Sequence, residues 1–572
     1  MKVNLQGIIH YFSMVLFLAN LVNVFTSIYN TWFTSGSILD IVLEIVFIFS
    51  LFGNVFLSFA CHFLLNYKKD RIAGRINHYF TIYLMFFFLL ILATISKIAT
   101  TSLILDREHP LHILTSIFLS ASAILCFVFA SIGNYKVYKT TFKSNRGGNQ
   151  PILKTWSHRK PIIDKPAWPL KVTPYKFLKA VWVASLFSHF VISIVFFLMI
   201  QTGEPPELTV DITQITPLLI VLTIITTTYL ARQVPRSKTR RNKALFIGII
   251  IAGGTVTILN AFPTMQLNDA VRSLDTQFAS AFGNDWEARI PGDIKENFRT
   301  LPFFLKDVII PINIPEVDVE MDVHYTFTNG TSFKFDWYAP LDIKDTSELL
   351  PVVIAIHGGF WSKQDKGMDN LPSVSKYIAN QGYVVADISY GLFPEYKWKD
   401  MLEQIGNLTK FLDVNPQYHA NVSQAYFLGR SAGAHLALVA GLGYDEEYYT
   451  NMTTFSNNLN CLGIIPFYPP TNTSNPYFDD LAGVAVENRT YYNPVELVSS
   501  TNPPSLIFQG QYDKLIPADH LTNFKTAMGN QGSICIAGVL PSAGHSMDGI
   551  YTSTYSQVSL YYIERFLALT NL

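Results

Sequence analysis

The sequence Gly-Arg-Ser-Ala-Gly at positions 429–433 places Ser431 between two glycines. The apolar residues 425–428 come directly before it, and the helix-like residues 434–440 follow it. Glycines on both sides permit a tight strand-to-helix turn in which larger side chains would collide, so the serine hydroxyl can project above a sheet. This context predicts that Ser431 is a nucleophile.

A second stretch, His-Gly-Gly-Phe-Trp at 357–361, follows the apolar residues 351–356. Two successive glycines leave backbone N–H groups unobstructed. Gly358 and Gly359, with the N–H of Ala432, are therefore predicted to form an oxyanion hole, which stabilises the negative oxygen formed during acyl transfer. Taken alone, the stretch fits a tight turn with a buried histidine equally well. His357 is interpreted as a brace for the loop, because its position before the glycines directs its ring away from the place of a base.

An acid and a histidine complete the pattern. Asp513 comes after the apolar residues 505–508, and His545 comes after 534–539. The chain order Ser431, Asp513, His545 is one of the known orders of a serine nucleophile, an orienting acid and a general base. The competing candidates lie inside predicted helices or off the strand ends: Asp519, Asp548, His520 and His435.

The elements that must position these residues are short apolar runs alternating with helical stretches. The runs lie at 352–356, 384–388, 425–428, 463–466, 505–508 and 534–539. This alternation predicts a mainly parallel sheet covered by helices on both faces, with ligands bound at the carboxyl ends of its strands. Before them, residues 317–338 alternate in polarity around Asn329-Gly330, which predicts a hairpin.

With these motifs in place, residues from about 317 to 572 resemble the α/β-hydrolase superfamily. The pair HGGFW and GRSAGAHLA is similar to its carboxylesterase and lipase branch, and most resembles the feruloyl and acetyl esterase-like group and its prenylcysteine methylesterase relatives. Residues 390–395 resemble the YRLxPE stretch of hormone-sensitive-lipase-like esterases, with Gly391 in place of the usual arginine. Phe360 stands where many esterases have a third glycine.

The resemblance implies cleavage of small-molecule or lipid carboxylic esters through an acyl-enzyme on Ser431, without a metal or organic cofactor. Two alternatives stay open. The same residues serve an acyltransferase, in which a lipid or sugar hydroxyl replaces water, and a hydrolase fold without activity can serve as a binding or receptor domain.

Composition separates a second region. The chain has 572 residues, 49% of them hydrophobic, and a mean hydropathy of +0.25, which is too apolar for a wholly soluble protein. Seven apolar stretches are long enough to cross a bilayer: 8–29, 38–66, 78–104, 111–134, 178–201, 213–231 and 245–263. We expect a transmembrane region at 1–263, a linker or pre-domain layer of helices at 264–310, and an α/β-hydrolase domain at 311–572.

Charge predicts the orientation of this region. Residues 1–264 carry 24 Lys and Arg against 9 Asp and Glu, whereas residues 265–572 carry 18 against 33. Twenty of the cations lie in the loops after the second, fourth and sixth stretches. Because such cations stay on the cytoplasmic side, the N-terminus is predicted to be cytoplasmic and the hydrolase domain lumenal or extracellular, in the plasma membrane or an endomembrane. This placement also makes nucleic-acid binding a poor explanation of the basic half.

Glycosylation sequons, Asn-x-Ser/Thr, occur only after residue 264 and agree with that orientation. They stand at Asn329, Asn407, Asn421, Asn451, Asn472 and Asn488. Four cysteines cannot form a disulfide framework, and no Cys/His spacing indicates a metal site. Cys61 and Cys126 lie in apolar stretches, and the sequence leaves open whether Cys461 and Cys535 form a disulfide on the oxidising side.

Overall fold

The computed structural model describes residues 5–28, 38–64, 71–103, 110–146, scattered positions between 184 and 198, 206–234 and 239–572. Within the last range it leaves out 310–315, 327–329, 342, 344–348, 369, 453 and 476–477. The predicted stretch at 178–201 and the sequon at Asn329 therefore lie wholly or largely outside the described residues.

Long apolar helices form the N-terminal part. Their bounds are α1 Leu5–Ile28, α2 Ile38–Leu64, α3 Arg71–Leu103, α4 Pro110–Arg146, α5 Pro206–Gln233 and α6 Arg240–Phe282. They share an apolar cluster that includes Phe47, Phe80, Phe87 and Phe127. Among the described residues, three stretches are long and apolar enough to cross a membrane: Leu114–Lys139, Thr213–Gln233 and Arg240–Phe282. The number of crossings and their orientation stay predictions.

Buried carboxamides join three of these helices. Asn54 of α2 accepts hydrogen bonds from Asn20 of α1 at 3.3 Å and from Asn134 of α4 at 2.7 Å, and donates to Asn20 at 2.7 Å. All three side chains are buried. Such bonds in an apolar surrounding fix the register of helices whose apolar faces alone would permit sliding.

The C-terminal part is built on one eight-stranded sheet. The strands are β1 Asp318–Thr326, β2 Ser332–Ala339, β3 Leu350–Ile356, β4 Val384–Ser389, β5 Ala420–Arg430, β6 Cys461–Phe467, β7 Ser505–Gly510 and β8 Cys535–Leu540. Their order is β1-β2-β4-β3-β5-β6-β7-β8. β1 and β2 pair antiparallel, as does β2 with β4, and all later pairs are parallel. The mostly parallel sheet matches the predicted α/β-hydrolase fold.

Helices cover both faces of the sheet. The helices after α6 are α7 Trp286–Arg289, α8 Leu305–Ile309, α9 Leu371–Ala379, α10 Trp398–Val414, α11 Ala432–Gly443, α12 Glu447–Asn451, α13 Asp479–Ala482, α14 Ala518–Asn530 and α15 Thr554–Thr570. Of these, α8 packs among the N-terminal helices instead of on the sheet. Short 3-10 helices lie at Ile294–Asn297, Pro416–Tyr418, Val486–Tyr492 and Pro494–Glu496. Alternate residues of β3 enter the two apolar clusters, one with α10, α11 and α14, the other with α9, α15 and α6. This two-sided burial explains the continuous apolar runs of the strands.

Helix α6 links the two parts without a break at position 264. Its residues Leu267, Leu274 and Phe278 are buried in the same cluster as the sheet and α15. Gln277 donates to the carbonyl of Ala537 and accepts from its N–H, each at 3.0 Å. Ala537 lies in β8, at the edge of the sheet, so one side chain satisfies backbone groups that an edge strand otherwise exposes.

The strand order answers the question of the C-terminal cysteines. Cys461 begins β6 and Cys535 begins β8, with β7 between them. Two strand spacings amount to about 9.5 Å, beyond the span of a disulfide. Both cysteines are free thiols, and burial raises the pKa of each to about 12.

If α6 is part of the hydrolase core, Leu274→Ala should lower the free energy of unfolding of the C-terminal part by about 2–5 kcal/mol, because it opens a cavity beside Gly538. The measurement is thermal unfolding of the full-length protein in detergent. Met265→Ala is the control, since Met265 lies on the same helix and is 66% exposed. Equal stability of the two variants would contradict this role of α6.

Candidate active site

Ser431 occupies a sharp turn between β5 and α11. Its backbone has φ 51° and ψ −117°, a conformation that residues other than glycine rarely adopt. A Cβ at Gly429 would lie 2.3 Å from the carbonyl oxygen of Gly433, and one at Gly433 would lie 2.2 Å from that of His357. The two glycines of the motif are thus required by close backbone approach, as the sequence predicts.

The structure brings Ser431, His545 and Asp513 together. His545 Nε2 lies 2.9 Å from Ser431 Oγ, and His545 Nδ1 lies 2.8 Å from Asp513 Oδ2. Both distances are those of hydrogen bonds. Asp513 follows β7 and His545 follows β8. These neighbouring parallel strands therefore place both side chains at the carboxyl ends of the strands, where Ser431 also lies.

Further hydrogen bonds hold the Asp513 carboxylate in place. Its Oδ1 accepts from the backbone N–H groups of Leu515 and Ile516, each at 2.9 Å. Its Oδ2 accepts from Gln509 Nε2 at 2.9 Å in addition to facing His545. A carboxylate held on both oxygens fixes the orientation of the imidazole, so its Nε2 is aimed at the serine.

The loop at 357–361 lies against the nucleophile. A Cβ at Gly358 would be 3.5 Å from Ser431 Cβ. The Tyr390 hydroxyl donates to the carbonyl oxygens of His357 at 3.0 Å and Gly358 at 3.2 Å, which ties this loop to the residue that follows β4. In the described part of the chain, the N–H groups of Gly358, Gly359 and Ala432 donate to no protein acceptor. They are available to an oxygen bound beside Ser431.

His357 and His435 lie outside the Ser431–His545–Asp513 chain. The His357 ring stacks on Tyr390 with centroids 4.2 Å apart, and His435 packs against Trp398 at 4.3 Å. Burial lowers the pKa of each histidine to about 4, although each also contacts a backbone carbonyl, which raises it. Both rings are therefore neutral near pH 7. The stacking of His357 on Tyr390 agrees with its predicted role of supporting the glycine loop.

The competing acid Asp548 has a different partner. Its carboxylate accepts from Arg430 Nε at 2.7 Å and from the Tyr468 hydroxyl at 2.8 Å. Tyr468 in turn lies against the His545 ring, with centroids 4.5 Å apart. Arg430 directly precedes Ser431, so this buried ion pair ties the nucleophile's strand to the loop of His545. Sequence reasoning considered Asp548 only as a competing acid and did not predict its pairing with Arg430.

Among the residues that the structure describes, no group of three or more His, Cys, Asp or Glu side chains is arranged to hold a metal ion. The other competing candidates have other partners or face solvent. His520 accepts at Nδ1 from the N–H groups of Thr471 and Asn472, and Asp519 is exposed in α14.

The described sequons differ in their surroundings. Asn451 is exposed at the end of α12, whereas Asn407 lies within α10 and donates to the carbonyl of Glu403. Asn421 lies in β5, and Asn472 and Asn488 are partly buried. Their modification stays a prediction.

The two neutral histidines should make the fold sensitive to acid. Because their folded pKa of about 4 lies below the ordinary 6.5, the unfolded chain takes up protons first as pH falls through this interval, and stability is lost. Each histidine contributes a loss of up to roughly 3 kcal/mol. His435→Gln and His357→Asn should each remove part of the fall in unfolding temperature between pH 7 and pH 4, measured by scanning fluorimetry.

The exposed His324 supplies the control variant His324→Gln. Curves of wild type and the two buried-histidine variants that stay parallel from pH 7 to pH 4 would contradict the assignment.

Comparison with known proteins gives a family model and several relatives. The family described as BD-FAE matches residues 335–528. Esterase LipC of Mycobacterium tuberculosis is 26% identical over 216 residues, which cover 35% of this chain and 53% of LipC. A kynurenine formamidase of Salmo salar is 29% identical over 195 residues, covering 33% of this chain and 61% of that protein. The solved structure of esterase B from Lactobacillus rhamnosis is 20% identical, covers 45% of this chain and 89% of its own, and has a TM-score of 0.39.

This chain thus spans about half the length of the curated relatives that it matches, 53% for LipC and 61% for the formamidase. The matched residues 335–528 contain Ser431, the glycine loop and Asp513, whereas His545 lies beyond them. The family model and the esterase relatives support an α/β-hydrolase of the esterase type in the C-terminal part of this chain.

Proposed function

We propose that this protein is a membrane-anchored hydrolase of carboxylic esters that acts through an acyl-enzyme on Ser431. The observation that carries the proposal is the hydrogen-bonded chain Ser431–His545–Asp513, with distances of 2.9 and 2.8 Å, on a strained turn that faces unengaged backbone N–H groups. Such an arrangement performs acyl transfer on several unrelated folds.

Acylation begins with His545. Its Nε2 takes the proton of Ser431 Oγ while Oγ bonds to the ester carbonyl carbon. The carbonyl oxygen becomes an oxyanion, which the N–H groups of Gly358, Gly359 and Ala432 stabilise. His545 then gives its proton to the alkoxy oxygen, the C–O bond breaks, and the alcohol leaves with the acyl group on Ser431.

Deacylation repeats these steps with water. His545 takes a proton from a water molecule, whose oxygen attacks the acyl carbon, and returns the proton to Ser431 Oγ as the acid departs. Asp513 stays ionised throughout and stabilises the imidazolium, which is why its three N–H donors matter. An acyltransferase would use the same residues with another alcohol in place of water, and no observation favours it or an inactive binding domain.

The esterase relatives suggest a small-molecule ester as the substrate. Phe360, directly after the two glycines, is 46% exposed and offers an apolar surface on the loop that packs against Ser431. The candidate spans in α4, α5 and α6 support anchoring in a lipid bilayer. The cation-rich loops support a hydrolase domain on the lumenal or extracellular side.

Ser431→Ala should abolish covalent labelling by a fluorophosphonate, because the probe reacts only with an activated serine, while leaving expression and insertion intact. Ser533→Ala, which removes a hydroxyl far along the chain in the same domain, should label as wild type does. Labelling that persists in Ser431→Ala would refute the nucleophile.

A membrane-impermeant fluorophosphonate extends the test to orientation. In sealed vesicles that expose the outer face, wild type should label without detergent. Labelling only after permeabilisation would show that the hydrolase domain faces the cytoplasm.

Gly359→Ala should lower kcat by on the order of 100-fold, since Gly359 has φ +102° and an added Cβ would lie 2.0 Å from the carbonyl oxygen of Lys363. The loop that supplies the oxyanion donors must then move. Gly382→Ala is the matched control, because Gly382 also has positive φ, at +93°, but has no atom within 4 Å of its Cβ position. Ester hydrolysis by Gly359→Ala at the rate of Gly382→Ala would contradict the assigned donors.

A further inference from the structure

The loop that carries His545 contacts two of the N-terminal helices. This loop, residues 541–553, runs from the end of β8 to the start of α15. Near its beginning, Ser542 Oγ donates to Gln266 Oε1 of α6 at 2.8 Å. Near its end, the N–H of Ile550 donates to Gln214 Oε1 of α5 at 2.7 Å. His545 lies between these two bonds, three residues after the first and five before the second.

The Gln214 contact is part-buried, with the glutamine itself buried and Ile550 partly exposed. The Gln214 side chain is 2% exposed, and a Cβ at Gly549 would lie 3.8 Å from its Nε2. A backbone N–H that is shielded from water is destabilising without an acceptor, and Gln214 supplies that acceptor to Ile550 where the loop meets α5.

Both glutamines sit on helices whose position relative to the sheet is fixed. Helix α6 packs on the sheet through Leu274 and Phe278, and α5 packs against α6. Helix α8 adds a second connection, since its Val308 and Ile309 are buried among the N-terminal helices. Just before α8, Phe304 is bound through its backbone to Gln557 of α15.

Inside the hydrolase domain, the loop has anchors on both sides of His545. The N–H of Tyr512 donates to the carbonyl of Ala543 at 2.8 Å, and Asp548 pairs with Arg430. Ser542 and Ile550 lie just outside these anchors. The glutamines therefore hold the two points at which the loop leaves the sheet and approaches α15.

We propose that the N-terminal helices are part of the catalytic unit: Gln266 and Gln214 act as positioning residues that clamp the two ends of the His545 loop and so hold its imidazole on Ser431. This inference rests on the proposed function, because it assigns a role in that reaction. It gives the N-terminal helices a task besides anchoring. A tilt of α5 against α6 would move His545 relative to Ser431.

A displaced imidazole has a recognisable kinetic signature. His545 must protonate the leaving alkoxide of an ethyl ester, whereas a 4-nitrophenolate leaves without that proton. A loss of positioning should therefore slow acylation by the ethyl ester more than acylation by the 4-nitrophenyl ester of the same acid. A smaller fraction of folded enzyme would slow both equally.

The experiment uses the full-length protein in lipid nanodiscs, with kcat/KM for both esters, which reports acylation, normalised to active sites titrated by a fluorophosphonate. The variants are Gln214→Leu, Gln266→Leu and the double substitution. We expect each single variant to lose about 10-fold on the ethyl ester and about 3-fold on the 4-nitrophenyl ester, and the double variant to lose more.

Gln277→Leu is the matched control. It lies on α6 three turns after Gln266 and also binds the hydrolase domain, but through Ala537 of β8. Its unfolding temperature should fall, while its ratio of ethyl to 4-nitrophenyl activity should equal that of wild type. An equal shift of this ratio in Gln277→Leu would overturn the proposal, since general loosening would then explain the effect.

Ser542→Ala tests the same bond from the loop, in case a glutamine variant fails to insert. Combined with Gln266→Leu, it should add no further loss, because both remove one bond. Unchanged kcat/KM in Gln214→Leu, Gln266→Leu and Ser542→Ala, in wild-type protein that labels and hydrolyses, would overturn the clamp and leave the proposed function intact. Absence of labelling and hydrolysis in wild type would overturn the proposed function itself.

Discussion

The left-handed backbone of Ser431 is the constraint on which the rest of the site depends. A residue at φ 51° and ψ −117° persists only where its surroundings hold it there. Here Gly429 and Gly433 permit close backbone contacts that leave no room for a side chain, and the loop of Gly358 packs against Arg430 and Ser431. This conformation directs the hydroxyl above the carboxyl ends of the strands, where Asp513 after β7 and His545 after β8 also lie. Without this turn, the three residues would still lie at the same end of the strands, but their side chains would not form a chain of hydrogen bonds.

Much of this arrangement follows from the sequence, because short motifs and strand ends are local properties. Apolar runs of strand length predict parallel strands, and parallel strands place their carboxyl ends together, so residues after different strands meet. The same reasoning locates the glycine loop. The contact of Arg430 with Asp548 could not be predicted in this way, because the two residues are 118 positions apart and nothing in the motif that contains Arg430 specifies its partner. A pair of this kind is visible only once the loops are folded.

The region after residue 263 shows a second limit. The change from apolar to mixed composition favours a boundary, yet α6 continues through Pro263 to Phe282. Proline removes one backbone hydrogen bond, and that loss is offset because the helix is packed on both sides of it: Val256 before it and Leu267 after it are buried. Local propensity gives way here to tertiary packing. The question of a disulfide likewise depended on tertiary structure, since only the strand order shows that β7 separates Cys461 from Cys535.

The amide of Gln277 gives α6 a further significance. By pairing with both backbone groups of Ala537, it closes part of the free edge of β8. A fragment that begins after α6 would expose this edge together with the apolar surface that Leu274 and Phe278 cover. An open edge beside an apolar face is a template for strand addition between molecules, so such a fragment would tend to aggregate. The solubility of the C-terminal part thus depends on a helix that begins in the apolar N-terminal part.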